Sequence, residues 1–138
     1  DLLNRKIPGL ELGLPSEAQW EYACRAGTTG DRYHEDVNAI AWYGDNSDRQ
    51  THDVKGKQPN KWGLYDMLGN AWEWVQDWYG DYPGDINDYV NNSSGSHRVF
   101  RGGSWNFNPE FARVANRLNY TPSFRFINLG FRLSRTIP

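Results

Sequence analysis

Cys24 is the only cysteine in 138 residues, so no intrachain disulfide can form and the stapled route to stability of small secreted domains is closed. No apolar run approaches the roughly 20 residues that cross a bilayer, which argues against direct membrane insertion. The start carries no secretory pattern, and Asp1 in place of an initiator Met reads as a trimmed or processed end. A basic stripe is missing too. The formal charge is −2 with Arg and Lys scattered, so nothing is built to neutralise a row of phosphates and nucleic acid is not an expected partner. The absence of a fixed-period repeat excludes solenoids and propellers.

Aromatic rings are what the protein has in plenty: seven Trp, eight Tyr and six Phe, enough apolar area to argue against disorder. Fourteen Gly and seven Pro without a period indicate many turns and few long elements. The length suits one domain, residues 1–138.

The clearest local signal is a helix opening at Ser16. Ser16 is a good N-cap, Gln19 completes a capping box, and Gly27 suits the left-handed residue that ends the helix. Trp20, Ala23, Cys24 and Gly27 recur at helical spacing and predict a buried face, which makes Cys24 a small core residue. Residues 28–61 read as loop with one short buried piece at 39–43. In residues 71–78, Trp72, Trp74 and Trp78 predict a strand with one packed face. A long polar loop over residues 80–96 precedes three short strands predicted at 97–101, 112–116 and 130–134. In the last of these, Phe131 and Leu133 alternate against Arg132 and Ser134.

Four of these strings together resemble the formylglycine-generating-enzyme (sulfatase-modifying factor) family: residues 14–23 (Leu-Pro-Ser-Glu-Ala-Gln-Trp-Glu-Tyr-Ala), 63–74, 98–105 (containing Arg101-Gly102-Gly103-Ser104-Trp105) and 129–132 (Leu-Gly-Phe-Arg). They correspond to the C-terminal part of the family pattern, and Gly13 stands where that pattern usually has Arg. The resemblance implies an α+β, C-type-lectin-like fold of the formylglycine-generating-enzyme subtype, with small antiparallel sheets, one or two helices and extensive loops. Catalytic members carry two copper-binding cysteines just after the Gly-Gly-Ser-Trp-like string. The matching positions here are Phe107 and Ala112, neither of which forms a thiolate, so no catalytic residue is expected and no cofactor is required for activity. His34, His52 and His97 lack close metal-ligand spacing and read as separate surface residues. Family members also bind a structural calcium through the string matching residues 66–73. That implies Asp66 and Glu73 as carboxylate ligands and Gly69 and Ala71 as carbonyl ligands, the hard-oxygen set calcium prefers. In the alternative, those carboxylates cap backbone amides.

The segment 101–132 is of another kind. It sets large rings among Asn, Ser, Pro and Arg with neither helical nor strand period, and clustered rings in such loops mark an interaction site. It is similar to the variable region of diversity-generating-retroelement target proteins, in which AAC codons are copied with errors at adenines. Asn106, Phe107, Asn108, Phe111, Leu118, Asn119, Tyr120, Phe124, Phe126, Ile127 and Asn128 all hold residues reachable from AAC. These are the expected ligand-binding positions, and the flanking strings keep the scaffold pattern. The expected function is non-catalytic, receptor-type recognition of a macromolecular ligand, a protein on a cell surface. Display on a virion or a cell would suit it. A formylglycine-generating or sulfoxide-synthase-type enzyme, or accessory domain, and a glycan-binding lectin are the alternatives.

Overall fold

The computed structural model describes residues 2–7, 9, 11–82, 84 and 89–135. In order along the sequence the elements are α1 (Leu2–Lys6), β1 (Leu12–Gly13), α2 (Glu17–Arg25), α3 (Val37–Ile40), β2 (Trp72–Trp78), β3 (Arg98–Arg101), a 3-10 turn (Pro109–Phe111), β4 (Arg117–Tyr120), β5 (Leu129–Phe131) and β6 (Ser134–Arg135). Within the loop expected over residues 80–96, Pro83 and residues 85–88 lie outside the described residues.

Helix α2 forms for local reasons. The Ser16 hydroxyl accepts the Gln19 N–H and the Gln19 amide oxygen accepts the Ser16 N–H, both at 3.1 Å. Buried Asp77 accepts the Glu17 N–H at 2.6 Å, satisfying another free amide of the first turn. The helix ends one residue earlier than expected: Ala26 takes the left-handed position with φ 46°, and Gly27 follows at φ 86°. Gly27 therefore lies beyond the helix and is exposed, whereas Trp20 and Cys24 are sealed. The short buried piece expected at 39–43 is present as the end of α3 and the stretch after it, with Ile40, Ala41 and Tyr43 inside.

The main sheet has the order β4-β3-β2-β5. Its first three strands pair antiparallel, but β5 runs parallel to β2, aligning Trp72 with Leu129 and Trp74 with Phe131. β1 and β6 form a separate two-stranded ladder. Packing against α2, the inner face of the sheet closes a core of Trp20, Cys24, Val75 and Val99. Helix α3 adds Ile40, and irregular segments add Ala41, Met67, Leu68 and Val114.

Three strand expectations are corrected. β2 does not keep one packed face, because its register shifts between Trp74 and Trp78 and turns Val75 and Asp77 inward. Residues 112–116 form no strand. Their backbone is committed elsewhere, Val114 donating to Asp31 O and accepting from Arg101. Residues 130–134 are divided between β5 and β6, and the apolar residues there point outward. Phe131 and Leu133 are exposed while Arg132 turns in, because its guanidinium pairs with Glu73 at 2.8 Å.

Candidate functional site

Strand alternation decides which residues near the C-terminus share a surface. Register aligns Trp74, Phe100 and Leu118 across three strands, and Tyr120 lies two residues on from Leu118. Trp72 and Phe100 meet edge to face at 5.3 Å between ring centroids, and Trp74 and Phe100 at 5.2 Å. This outer face of the sheet is thus an aromatic floor. Over it lie the rings of Phe107 and Phe111, 5.4 and 6.4 Å from Trp72 and 5.0 Å from each other. A second cluster extends from the end of β4: Tyr120 meets Phe124 at 4.0 Å, and Phe124 stacks on Phe126 at 5.3 Å.

None of these five rings is sealed. Tyr120 is 46% exposed, Phe126 54% and Ile127 76%, while Phe107, Phe111, Leu118 and Phe124 are half-buried. Asn106 and Asn108 are exposed at the rim. Two of the eleven expected positions do not share this surface. Asn119 sits opposite Val99, whose isopropyl group is fully inside, so alternation turns it away from Leu118 and Tyr120. Asn128 is only 4% exposed, and its amide donates to Ser104 at 3.1 Å and to Asn106 at 2.7 Å. It braces the two loops together and has no surface to offer.

The loop between β3 and β4 is held mainly through its backbone. Ser47 donates to Trp105 O, the Gly44 N–H to Phe107 O, and Arg32 to both Pro109 O and Ala112 O. Gly103, at φ 80°, lets the backbone pass close, since a Cβ there would stand 3.1 Å from Phe111 O. At either end of the loop, Arg101 and Arg117 both bind Glu17, and Arg101 also binds Glu21. Burial pushes the Glu21 carboxyl up, but Arg101 and Arg25 outweigh it and leave it below the ordinary carboxylate value. Sequence reasoning missed Arg32: it lies in a polar loop, 77 and 80 residues from its partners, and no local pattern announces such a contact.

Phe107 and Ala112 stand at the positions where the resemblance implied the catalytic cysteines. Phe107 is half-buried under the face and Ala112 is fully inside. Cys24 is sealed beneath the sheet, and burial pushes its thiol far above its ordinary range. His52 departs from the expected lone surface residue, its ring stacking on Trp42 at 3.8 Å.

Of the four residues implied as calcium ligands, Asp66, Ala71 and Glu73 line one cavity of about 500 Å³ together with Lys55, Asn70 and Arg132. Carboxylate and carbonyl oxygens are the donors a hard cation takes, but Lys55 and Arg132 bring positive charge to the same cavity, and no group of three or more His, Cys, Asp or Glu comes together among the described residues. Among the described residues Asp66 accepts the Lys55 N–H through Oδ2 alone, and Glu73 Oε1 accepts only from Arg132, so both retain lone pairs. Glu73 Oε2 is fully engaged by Trp20 and the Arg132 Nε, so three of the four carboxylate oxygens already accept a protein donor, and the amide-capping alternative describes Asp66 Oδ2. Asp66, Gly69, Ala71 and Glu73 would hold the ion, and its role there would be to tie the loop to β2.

Known proteins share the fold that carries these residues. Residues 8–137 match the model of the sulfatase-modifying factor enzyme 1-like domain. A formylglycine-generating enzyme of Streptomyces coelicolor is 35% identical over 86% of this chain and 45% of its own, and the serine/threonine-protein kinase pkn1 of Chlamydia pneumoniae is 36% identical over 90% and 21%. The sequence thus spans less than half the length of these curated relatives. Among solved structures, Treponema denticola variable protein 1 superposes with a TM-score of 0.83 at 43% identity, covering 88% of this protein and 46% of that one. The chain belongs to the sulfatase-modifying factor enzyme 1-like family and has its C-type-lectin-like fold.

Proposed function

We propose that this domain is a non-catalytic recognition module, whose outer sheet face and adjoining loops bind a macromolecular ligand, a protein on a cell surface, and are varied by a diversity-generating retroelement. One observation carries the reading: Tyr120, Phe124, Phe126 and Ile127 reach solvent as a contiguous apolar group, while the residues that hold their loops are buried and polar. Large rings give contact area at little entropy cost, and the neighbouring Asn residues adapt their hydrogen bonds. Likeness to a variable protein of Treponema denticola supports it. The surface positions are Asn106, Phe107, Asn108, Phe111, Leu118, Tyr120, Phe124, Phe126 and Ile127.

The test has two arms. The locus is expected to carry a template copy with AAC codons at these positions beside a reverse transcriptase gene; a locus without them removes the diversification. Replacing Tyr120, Phe126 and Ile127 together by Ser is expected to abolish binding to cells that bind the native protein, with an unchanged circular dichroism spectrum. Retained binding would place recognition elsewhere. The enzymatic alternative is favoured by the family and opposed by Phe107 and Ala112. Incubation with copper and a cysteine peptide is expected to yield no formylglycine by mass spectrometry, and its formation would overturn the non-catalytic reading.

A further inference from the structure

We propose that Arg32 is the positioning residue of the recognition face: it fixes the course of residues 109–112 through their carbonyls, so the loop keeps one shape whichever residues stand at Asn106, Phe107, Asn108 and Phe111. The inference rests on the reading of that loop as substitutable. Arg32 Nη2 donates to Pro109 O at 2.7 Å and Nε to Ala112 O at 2.9 Å, bridging the two ends of the 3-10 turn. Among the described residues Arg32 pairs with no carboxylate, although a carboxylate would bind a guanidinium more strongly. A half-buried guanidinium spent only on carbonyls makes a contact that every residue type can accept, because each carries a backbone carbonyl.

The rest of the loop is held in the same manner. Phe107 O accepts from Gly44 at 2.8 Å, Trp105 O from Ser47 at 2.7 Å, Val114 O from Arg101, and the Val114 N–H donates to Asp31 O at 2.8 Å. Opposed to these backbone bonds are holds that do depend on sequence: the packing of Phe107 and Phe111 on Trp72, and the Asn106 amide oxygen, which accepts from Ser104 and Asn128. With the native residues both kinds of hold act; when all four positions are replaced the backbone bonds are what every sequence retains. At the turn Asn116 also donates to Phe111 O and Arg113 to Glu110 O, but Arg32 alone ties both ends of it to a distant part of the chain, and its planar fork reaches two carbonyls at once, which the single ammonium of lysine does not.

The experiment displays the full-length protein on yeast with NNC codons at 106, 107, 108 and 111, in native, Arg32→Lys and Arg32→Met backgrounds. Each library is sorted for resistance to protease with no ligand present. With the native loop sequence, Arg32→Met is expected to remain folded, held by Phe107 and Phe111. Its fraction of folded library members is expected to fall about fivefold or more below that of the native background, with Arg32→Lys between them. Equal fractions in the native and Arg32→Met backgrounds would overturn the proposal. Should Arg32→Met fail to fold even with the native loop, the comparison is made in Arg32→Lys, where a fraction equal to the native one overturns it. Because no ligand enters, this outcome is independent of whether the face recognises a protein.

Discussion

Ile127 and Asn128 are neighbours in sequence, and both are residues an AAC codon can reach. One stands in solvent, while the other is sealed between the two loops and donates to Ser104 and Asn106. Their truncations should differ accordingly. Ile127→Ala is expected to change stability by no more than about 0.5 kcal/mol, as for an isolated surface residue. Asn128→Ala is expected to cost about 1–3 kcal/mol, because the buried Ser104 hydroxyl and the Asn106 side chain lose their donor. Urea unfolding midpoints of the two variants measure this, and equal midpoints would contradict the bracing role. Residue chemistry was legible at this scale, since exposed rings among Asn and Ser did predict a wet surface. Direction was not: nothing in Asn119 or Asn128 as residue types shows that one is turned inward by strand alternation and the other buried by its hydrogen-bond partners.

Helix α2 and strands β3 and β4 meet in a cluster of charge, with Glu17 and Glu21 facing Arg101, which is 0% exposed, and Arg117. Glu17→Gln is expected to destabilise by about 3–5 kcal/mol in denaturant titration; this measures a guanidinium left short of charge inside the protein, not the net worth of the pair. Acid should act on the same elements. The Glu21 carboxyl titrates below its ordinary value of 4.5 when folded, so its stabilisation is present above that pH and lost as the pH falls through the lower folded value. Thermal melts between pH 6 and 3 are expected to show a decline that begins below about pH 4.5, and one that Arg101→Met reduces. Elements differ in how far sequence foretells them. The capping box at Ser16 and Gln19 is local and gave α2 its start correctly. The strand expected at 112–116 failed because Asp31 and Arg101, distant in sequence, had claimed the backbone of Val114. The parallel pairing of β5 with β2 likewise has no local signature.

Seen whole, the described residues form two small sheets and three short helices joined by long irregular segments, and rigidity depends on how those segments are tied down. The stretch 66–70 is such a place, with Asp66, Gly69 and Asn70 all at positive φ. A calcium ion held by Asp66, Gly69, Ala71 and Glu73 would secure it to β2. Calcium at a hundredfold excess over its dissociation constant is expected to add about 2.7 kcal/mol, raising the melting temperature by about 5–10 °C, with reversal by a chelator. No shift in either direction would leave Glu73 to its pairing with Arg132 and Trp20 alone. The family motifs around residues 14–23, 63–74, 98–105 and 129–132 made the overall architecture legible, because they supply α2, β2, β3 and β5, the helix and three of the four strands of the main sheet.

The burial of Asn128 bears on how such a surface would evolve. Two proteins differing only at 128 would offer a partner nearly the same outline, so counting sequences overstates the number of shapes on offer. Variation there would be judged by whether the protein folds.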